Sequence, residues 1–140
     1  MKESIFENEF AASFVDVEKR LYGYKWKRTN RTMTPEQYKA EITRQADNIL
    51  QYKPLFVMVD FSETDFIIDP DLQGFVTQTL FQSMIDVDTK KLAVIQTEDY
   101  ILQLSVEQTV NEQTKAQYVT QYFLSQEEAI QWFEDEIEGN

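Results

Sequence analysis

The sequence of 140 residues contains no cysteine and no histidine. Without cysteine the chain forms no disulfide bonds and performs no thiol catalysis. Without histidine it has no serine–histidine or cysteine–histidine nucleophile system, and zinc sites built from imidazole and thiolate ligands are excluded as well. Carboxylate, lysine, tyrosine and hydroxyl groups remain, and glycosidases show that carboxylates alone can support catalysis. This inventory nevertheless favours a protein that is not an enzyme.

Glycine, proline and long apolar runs are scarce too. With three glycines and three prolines, neither a G-x-G-x-x-G turn nor a P-loop for phosphate can be written. The longest apolar run, residues 55–59, is far shorter than the roughly 20 residues of a membrane span. Residues 1–10 lack the apolar stretch of a secretory signal. We therefore expect a single soluble domain, residues 1–140, without a membrane span and in the cytoplasm.

Basic residues are few and unevenly placed. There are 13 of them against 25 acidic residues, for a net charge of −12, yet six lie within residues 19–31. A period of two places the aromatic residues of this segment on one face of a strand, as in a sheet core: Tyr22, Tyr24 and Trp26. Lys25 and Lys27 then extend from the other face toward solvent or toward carboxylates on a neighbouring strand, such as Glu7 and Glu9. A single-strand nucleic-acid surface needs exposed aromatics in a positive field, which the net charge opposes, so we expect no nucleic-acid partner.

Helix start signals and apolar strand patterns alternate from residue 34 onward. Thr34, Pro35 and Gln37 form a capping-box pattern, and Asp69 followed by Pro70 repeats the start signal. The predicted helices are residues 34–50, 69–84, 97–112 and 125–137, and the predicted strands are residues 55–61, 91–96 and 117–123. Before them, residues 10–17 and 21–28 predict a hairpin. The fold class is therefore α/β: a mixed central sheet with N-terminal antiparallel strands followed by αβαβαβα, with the helices packed around the sheet.

Three strings in this order resemble a known family. They are LFVMVDFSETDFIID (residues 55–69), KLAVIQTEDYILQLSVEQT (residues 91–109) and VTQYFLSQEEAIQWF (residues 119–133). From about residue 6 to residue 136 the chain resembles the SpoIIAA-like group, which is related to the STAS domains of sulfate transporters and anti-sigma-factor antagonists. The resemblance implies a STAS-like fold and a noncatalytic regulatory or protein-interaction module without a cofactor.

The resemblance also directs attention to the loop before the second helix. In anti-sigma antagonists an Asp-Ser-Ser-Gly type segment at this helix start carries the serine that a partner kinase phosphorylates. Here Asp69 stands in the aspartate place, and Pro70 and Asp71 stand where the serines would be, which implies that the phosphorylation switch is lost. Ser62 remains an alternative target, although loop serines also serve turns. The candidate interaction residues are Asp60, Ser62, Phe66, Asp69, Asp71 and Gln73.

An apolar-ligand carrier is the alternative function. Some SpoIIAA-like relatives are grouped with lipid-binding domains, and the loop and helices offer side chains that could line a pocket for a small, lipid-like ligand: Phe61, Phe66, Ile67, Ile68, Phe75, Phe81, Trp132 and Phe133. Core packing is the simpler interpretation of these residues. Residues 65–68 stand out because three large apolar side chains in a loop either tuck under a helix or form part of an interface.

The acidic residues after the predicted strands allow a third interpretation. Oxygen ligands at this sheet edge suit a hard divalent cation, and paired carboxylates with a raised pKa could serve an enzyme: Asp60, Glu63, Asp65, Asp69, Asp71, Glu98 and Asp99. Helix caps, helix-dipole partners and solvated charges account for the same residues more simply, and we predict no metal site. Apolar residues on both faces of the hairpin leave a homodimer open.

Overall fold

A six-stranded mixed sheet organises the chain. The computed structural model describes residues 2–138, with side chains through residue 136, so residues 1, 139 and 140 of the predicted domain lie outside the described part. The strands are β1 (Lys2–Glu7), β2 (Ala11–Asp16), β3 (Leu21–Trp26), β4 (Phe56–Asp60), β5 (Lys91–Ile95) and β6 (Val119–Phe123). They lie side by side in chain order; β1, β2 and β3 pair antiparallel, and β3 through β6 pair parallel. The predicted α/β class and mixed sheet are confirmed.

Three helices begin where the sequence signals predicted, at residues 35, 70 and 126, whereas the helix predicted from residue 97 begins at residue 100, because Asp99 is its N-cap. The helices are α1 (Pro35–Tyr52), α2 (Pro70–Val76), α3 (Gln82–Asp86), α4 (Tyr100–Glu112) and α5 (Gln126–Glu138), with a 3₁₀ helix at Arg28–Thr32 and a π-helical turn, Thr77–Phe81, joining α2 to α3. The capping box at Thr34 is confirmed, since the Gln37 N–H donates to Thr34 Oγ1 at 3.1 Å and the Thr34 N–H donates to Gln37 Oε1 at 2.8 Å. The π-helical turn was not predicted, because an apolar stripe does not distinguish it from an α-helix. Between residues 2 and 138, no helix has the length and hydropathy to cross a membrane.

The order of the strands decides which face each helix covers. Because β3, β4, β5 and β6 advance in one direction and parallel crossovers are right-handed, the helices from α1 to α4 lie on the same face of the sheet. There they bury the aromatic face of β3, as predicted: Tyr22, Tyr24 and Trp26 are at most 2% exposed. Helix α5 covers the opposite face, where Phe133 stacks on Phe56 at a ring separation of 4.9 Å. Trp132 and Phe133 are therefore separated by the sheet from the other aromatic residues considered for a pocket.

The basic segment of residues 19–31 contributes cations to ion pairs with acidic residues from several parts of the chain. The pairs are Lys19 with Glu134 at 2.8 Å, Lys25 with Glu63 at 2.6 Å, Lys27 with Glu7 at 2.6 Å, and Arg31 with Asp65 at 3.8 Å. Lys27 meets the predicted partner on β1, whereas Lys25 reaches the loop after β4. The hydrogen bond that Lys25 donates to the Glu63 carboxylate is the main cause that raises the pKa of Lys25, so this lysine is a cation at neutral pH. The segment links neighbouring elements, in agreement with its interpretation as sheet structure.

Gly23 in β3 gives a direct test of the packing on the α5 face. A Cβ on residue 23 would lie 2.6 Å from Phe14 Cε1 and closer still to Cζ, while the φ angle of residue 23 suits any amino acid. Steric overlap alone should therefore make Gly23→Ala lower the free energy of unfolding by about 1–3 kcal/mol. Urea denaturation of Gly23→Ala, Phe14→Leu and the double variant measures the coupling. We expect Phe14→Leu to recover part of the loss; strictly additive effects would contradict the predicted overlap.

Candidate functional site

The carboxyl ends of the parallel strands meet at one edge of the sheet, where open α/β sheets bind their ligands. The loop of residues 61–69 leaves β4 at this edge and leads into α2, and residues 96–99 leave β5 and lead into α4. All six candidate residues lie in β4, this loop or the first turns of α2. Most of them make internal contacts that hold the loop in place.

The 3₁₀ helix anchors the first half of the loop. Asn30 is 1% exposed; its Nδ2 donates to Thr64 Oγ1 at 2.7 Å, and its Oδ1 accepts from the Asp65 N–H at 2.7 Å. Glu63, the residue just before Thr64, forms an ion pair with Lys25. Asn30 was missed in the sequence, since an asparagine within a basic segment has no pattern that distinguishes a buried anchor from a solvated residue.

Phe66 anchors the middle of the loop through aromatic stacking. Its ring lies 4.7 Å from the Tyr38 ring at an interplanar angle of 11°, and the Tyr38 ring lies 5.5 Å from Trp26 at 15°. This aromatic column runs from β3 through α1 to the loop. Phe66 was predicted as an interaction residue, and in the structure its half-buried ring contacts α1.

The end of the loop is held against α4. The Ile68 N–H donates to Ser105 Oγ at 3.4 Å, while Gln73 Nε2 donates to the Ile68 carbonyl at 2.8 Å and to Gln108 Oε1 at 3.3 Å. Gln73 is 6% exposed, so these hydrogen bonds hold the loop from inside the protein. Of the apolar loop residues, Ile68 is buried at 3% exposure and Ile67 is 56% exposed. Phe66 and Ile68 therefore tuck inward, which is the first alternative for residues 65–68, whereas Ile67 points to solvent and its place in an interface stays a prediction.

Asp60 faces away from the loop surface. It is 3% exposed, its Oδ1 accepts from the Ser62 N–H at 2.8 Å, and its Oδ2 accepts from Gln126 Nε2 on α5 at 2.7 Å. These bonds join the end of β4 to the start of α5. Ser62 is exposed, and the turn here is formed by the Asp60 side chain and the Ser62 backbone N–H, so it uses the aspartate and not the serine hydroxyl.

Two exposed aspartates at this edge cap helices. Asp69 Oδ1 accepts from the Leu72 N–H at 3.1 Å, and Asp99 Oδ1 accepts from the N–H groups of Ile101 and Leu102 at 3.0 and 3.1 Å. Asp71 lies in the first turn of α2, where a negative charge favours the helix dipole. Within the part of the chain that the structure describes, no three acidic residues are grouped closely enough to hold a metal ion together. The simpler interpretation of these acidic residues agrees with their contacts.

Four exposed apolar side chains lie on the loop and on the first turns of α4, and we call them the apolar patch: Ile67 (56% exposed), Tyr100 (79%), Ile101 (59%) and Leu104 (43%). Tyr100 and Ile101 lie four and three residues before Leu104 and so share a face of α4 with it. Ile101 lies one turn before Ser105, which binds the backbone of Ile68 and thereby places Ile67 beside α4. Exposed apolar residues grouped in this way are typical of an interaction surface.

Only Ile67 of this patch was noted in the sequence. The sequence nevertheless contained a signal for the α4 residues. Residues 100–106 include five large apolar side chains, but the buried face of α4 holds only two of them, Leu102 and Val106. The excess at the first turn indicates a second apolar face. This second face was missed because the apolar residues of the whole helix fit those of a helix that is simply buried against a sheet.

An internal cavity beneath the loop bears on the carrier alternative. It lies between the sheet and the helices on the α1 face, has a volume of about 10 Å³, and is lined by apolar side chains that include Phe61, Ile68 and Phe81. A volume of this size accommodates about one water molecule, whereas ligand pockets are commonly about 300 Å³ or larger. A lipid-like ligand would require this core to open.

The comparisons with known proteins give no relative for this chain. No family model, no curated protein and no solved structure matches it. The membership of the SpoIIAA-like group, inferred from three sequence strings, therefore stays a prediction, and the function must be argued from the geometry of the strand ends and of the apolar patch.

Proposed function

We propose that this chain is a noncatalytic protein-interaction module of the STAS-like kind, and that the apolar patch is its contact surface. The observation that carries the proposal is the exposure of four large apolar side chains, Ile67, Tyr100, Ile101 and Leu104, on two segments that leave the same edge of the sheet and are joined by the Ile68–Ser105 hydrogen bond. Leaving them in water costs free energy that a partner surface would recover on binding.

The rigidity of the surface supports this function. Ile67 lies between two anchored neighbours, since Phe66 stacks on Tyr38 and the Ile68 N–H binds Ser105. The other three residues lie on a regular helix whose first turn is capped by Asp99. A surface that is ordered before binding loses little conformational entropy when a partner docks.

The start of α2 fits a module without a phosphorylation switch. Asp69 caps the helix, Pro70 has no hydroxyl group, and Asp71 places a permanent carboxylate in the first turn. The interaction would then not be switched by phosphorylation at the start of this helix.

Site-specific photo-crosslinking tests the proposed surface. A photoreactive phenylalanine analogue at position 104 is compared with the same analogue at Val17, which is 69% exposed and lies at the opposite edge of the sheet. In cells that express the chain naturally, we expect discrete covalent adducts from position 104 that Ile101→Asp abolishes. Position 17 should give no adduct that depends on Ile101.

Three results would oppose the proposal. These are identical adducts from both positions, no adduct from position 104, and adducts that persist with Ile101→Asp. An adduct at twice the mass of the chain would identify the partner as a second copy. The fold of each variant is checked by its thermal unfolding, because Ile101 and Leu104 are exposed and their replacement should leave the core intact.

A further inference from the structure

Charge is distributed very unevenly along the chain. Residues 54–140 contain 17 acidic residues and only three basic ones, Lys90, Lys91 and Lys115, whereas residues 1–53 contain eight acidic and ten basic residues. The loop of residues 61–69, α2 and α4 all belong to the acidic part. The apolar patch is therefore built entirely from segments that lack lysine and arginine.

Carboxylates flank the apolar patch on both of the segments that form it. Asp69 and Asp71 follow Ile67 in the chain, and Glu98 and Asp99 precede Tyr100; all four are exposed. Arg31 lies 3.8 Å from Asp65 and offsets that charge, so Asp65 is not included among the four. Apolar side chains flanked by negative charge define the chemistry of the complementary surface.

We infer that the apolar patch binds a cationic amphipathic helix of a partner protein, with its apolar side chains on the patch and its lysine or arginine side chains beside the flanking carboxylates. This inference rests on the proposed function and specifies its partner. A helix is the expected shape because Leu104 lies three residues after Ile101 and four after Tyr100 on α4, so that these side chains form a ridge of the kind that a second helix packs against. Helix recognition through such anchors is a common mode of binding.

The same charges disfavour the other occupants of such a surface. A second copy would bring its own carboxylates, from a chain of net charge −12, against those around the patch. Anionic lipids and nucleic acids carry the same sign and are repelled in the same way. A cationic protein segment is the occupant for which both the apolar and the charged parts of the surface contribute favourably.

The size of the patch sets the expected strength. Four side chains cover much less than the roughly 800 Å² that each partner buries in a standard interface. We therefore expect a micromolar complex in which charge attraction speeds association and weakens as salt is added.

Titration with two synthetic peptides tests the inference. The first is an amphipathic helix with leucine on one face and lysine on the other; the second has glutamate in place of every lysine. Fluorescence anisotropy gives the Kd, and amide chemical shifts in the NMR spectrum of the full chain give the location. We expect the lysine peptide to shift the amides of residues 67 and 100–104, and the glutamate peptide to shift none of them.

Matched variants separate the patch from the general negative charge. Ile101→Ser should weaken lysine-peptide binding roughly tenfold, as for a central apolar contact. The double variant Asp71→Asn/Glu98→Gln should weaken it roughly threefold to tenfold at low salt. Asp86→Asn/Asp88→Asn removes the same charge at the end of α3 and should change the Kd less than about twofold.

The inference would be overturned if both peptides bound equally, if neither bound, or if the two double variants had the same effect. It would also be overturned if phosphatidylcholine vesicles, and not the lysine peptide, shifted the patch amides, which would indicate a membrane surface instead. Crosslinking at position 104 is a separate measurement. Adducts there with a neutral or acidic segment, or with a second copy, would keep the proposed function while rejecting the cationic helix.

Discussion

Replacement of Tyr38 by alanine should lower the free energy of unfolding by about 3–5 kcal/mol. The Tyr38 side chain is 2% exposed and lies between the rings of Trp26 and Phe66, at 5.5 and 4.7 Å. Its removal leaves a cavity in the core on the α1 face and also removes two stacking contacts. Because Phe66 belongs to the loop, the damage should extend from α1 to the apolar patch.

Two measurements check this expectation. Urea denaturation gives the global loss, and hydrogen exchange at the amides of Asp65 and Ile68 gives the local loosening of the loop. Tyr38→Phe keeps the ring and should cost about 1 kcal/mol or less. If Tyr38→Ala left the exchange at Asp65 and Ile68 no faster than elsewhere in the chain, the aromatic column would not be what holds the loop.

Alkaline pH should unfold the protein through its buried tyrosines. Burial raises the pKa of Tyr22 to about 12, and it also raises the pKa of Tyr24, Tyr38 and Tyr118. The unfolded chain releases these protons near pH 10, whereas the folded chain retains them, so the unfolded state binds fewer protons and stability falls as pH rises. Tyr22 alone should contribute a loss of about 1.4 kcal/mol for each pH unit between 10 and 12.

Equilibrium unfolding in urea at several pH values from 8 to 12 measures this slope. Tyr22→Phe lowers stability at pH 8, because it removes the hydrogen bonds of the hydroxyl with Gln45 and Asn48. It should also flatten the slope above pH 10, since one of the retained protons is gone. A slope unchanged by Tyr22→Phe would contradict the role of Tyr22 and leave the alkaline loss to the other buried tyrosines or to the lysine ion pairs.

Local patterns in the sequence predicted most of the fold. The order of strands and helices from residue 34 follows from capping signals and apolar periodicity, and the burial of the β3 aromatics follows from a period of two. Strand β1 had no defined limits, because its residues are exposed apart from the half-buried Ile5 and Phe6. An edge strand of this kind lacks the alternation that would identify it.

The position of the candidate residues in the fold could be predicted, but their contacts could not. Their location follows from the parallel strand order, yet Asp60, Phe66 and Gln73 make internal contacts, and three of the four patch residues lie on α4. Which loop side chain points inward depends on Asn30, Tyr38 and Ser105, which come from three distant parts of the chain. Contacts across such separations have no signature in a single sequence.

The strand order also decides when each part of the sheet can form during synthesis. Each strand pairs with the strand just before it in the chain. The sheet can therefore grow from β1 toward β6, because no later strand has to insert between two earlier ones, and its contact order stays moderate. The α5 face is different. Phe56 and Met58 are covered there by a helix that begins at Gln126, and a ribosome must therefore translate nearly the whole chain before this apolar face is protected from aggregation.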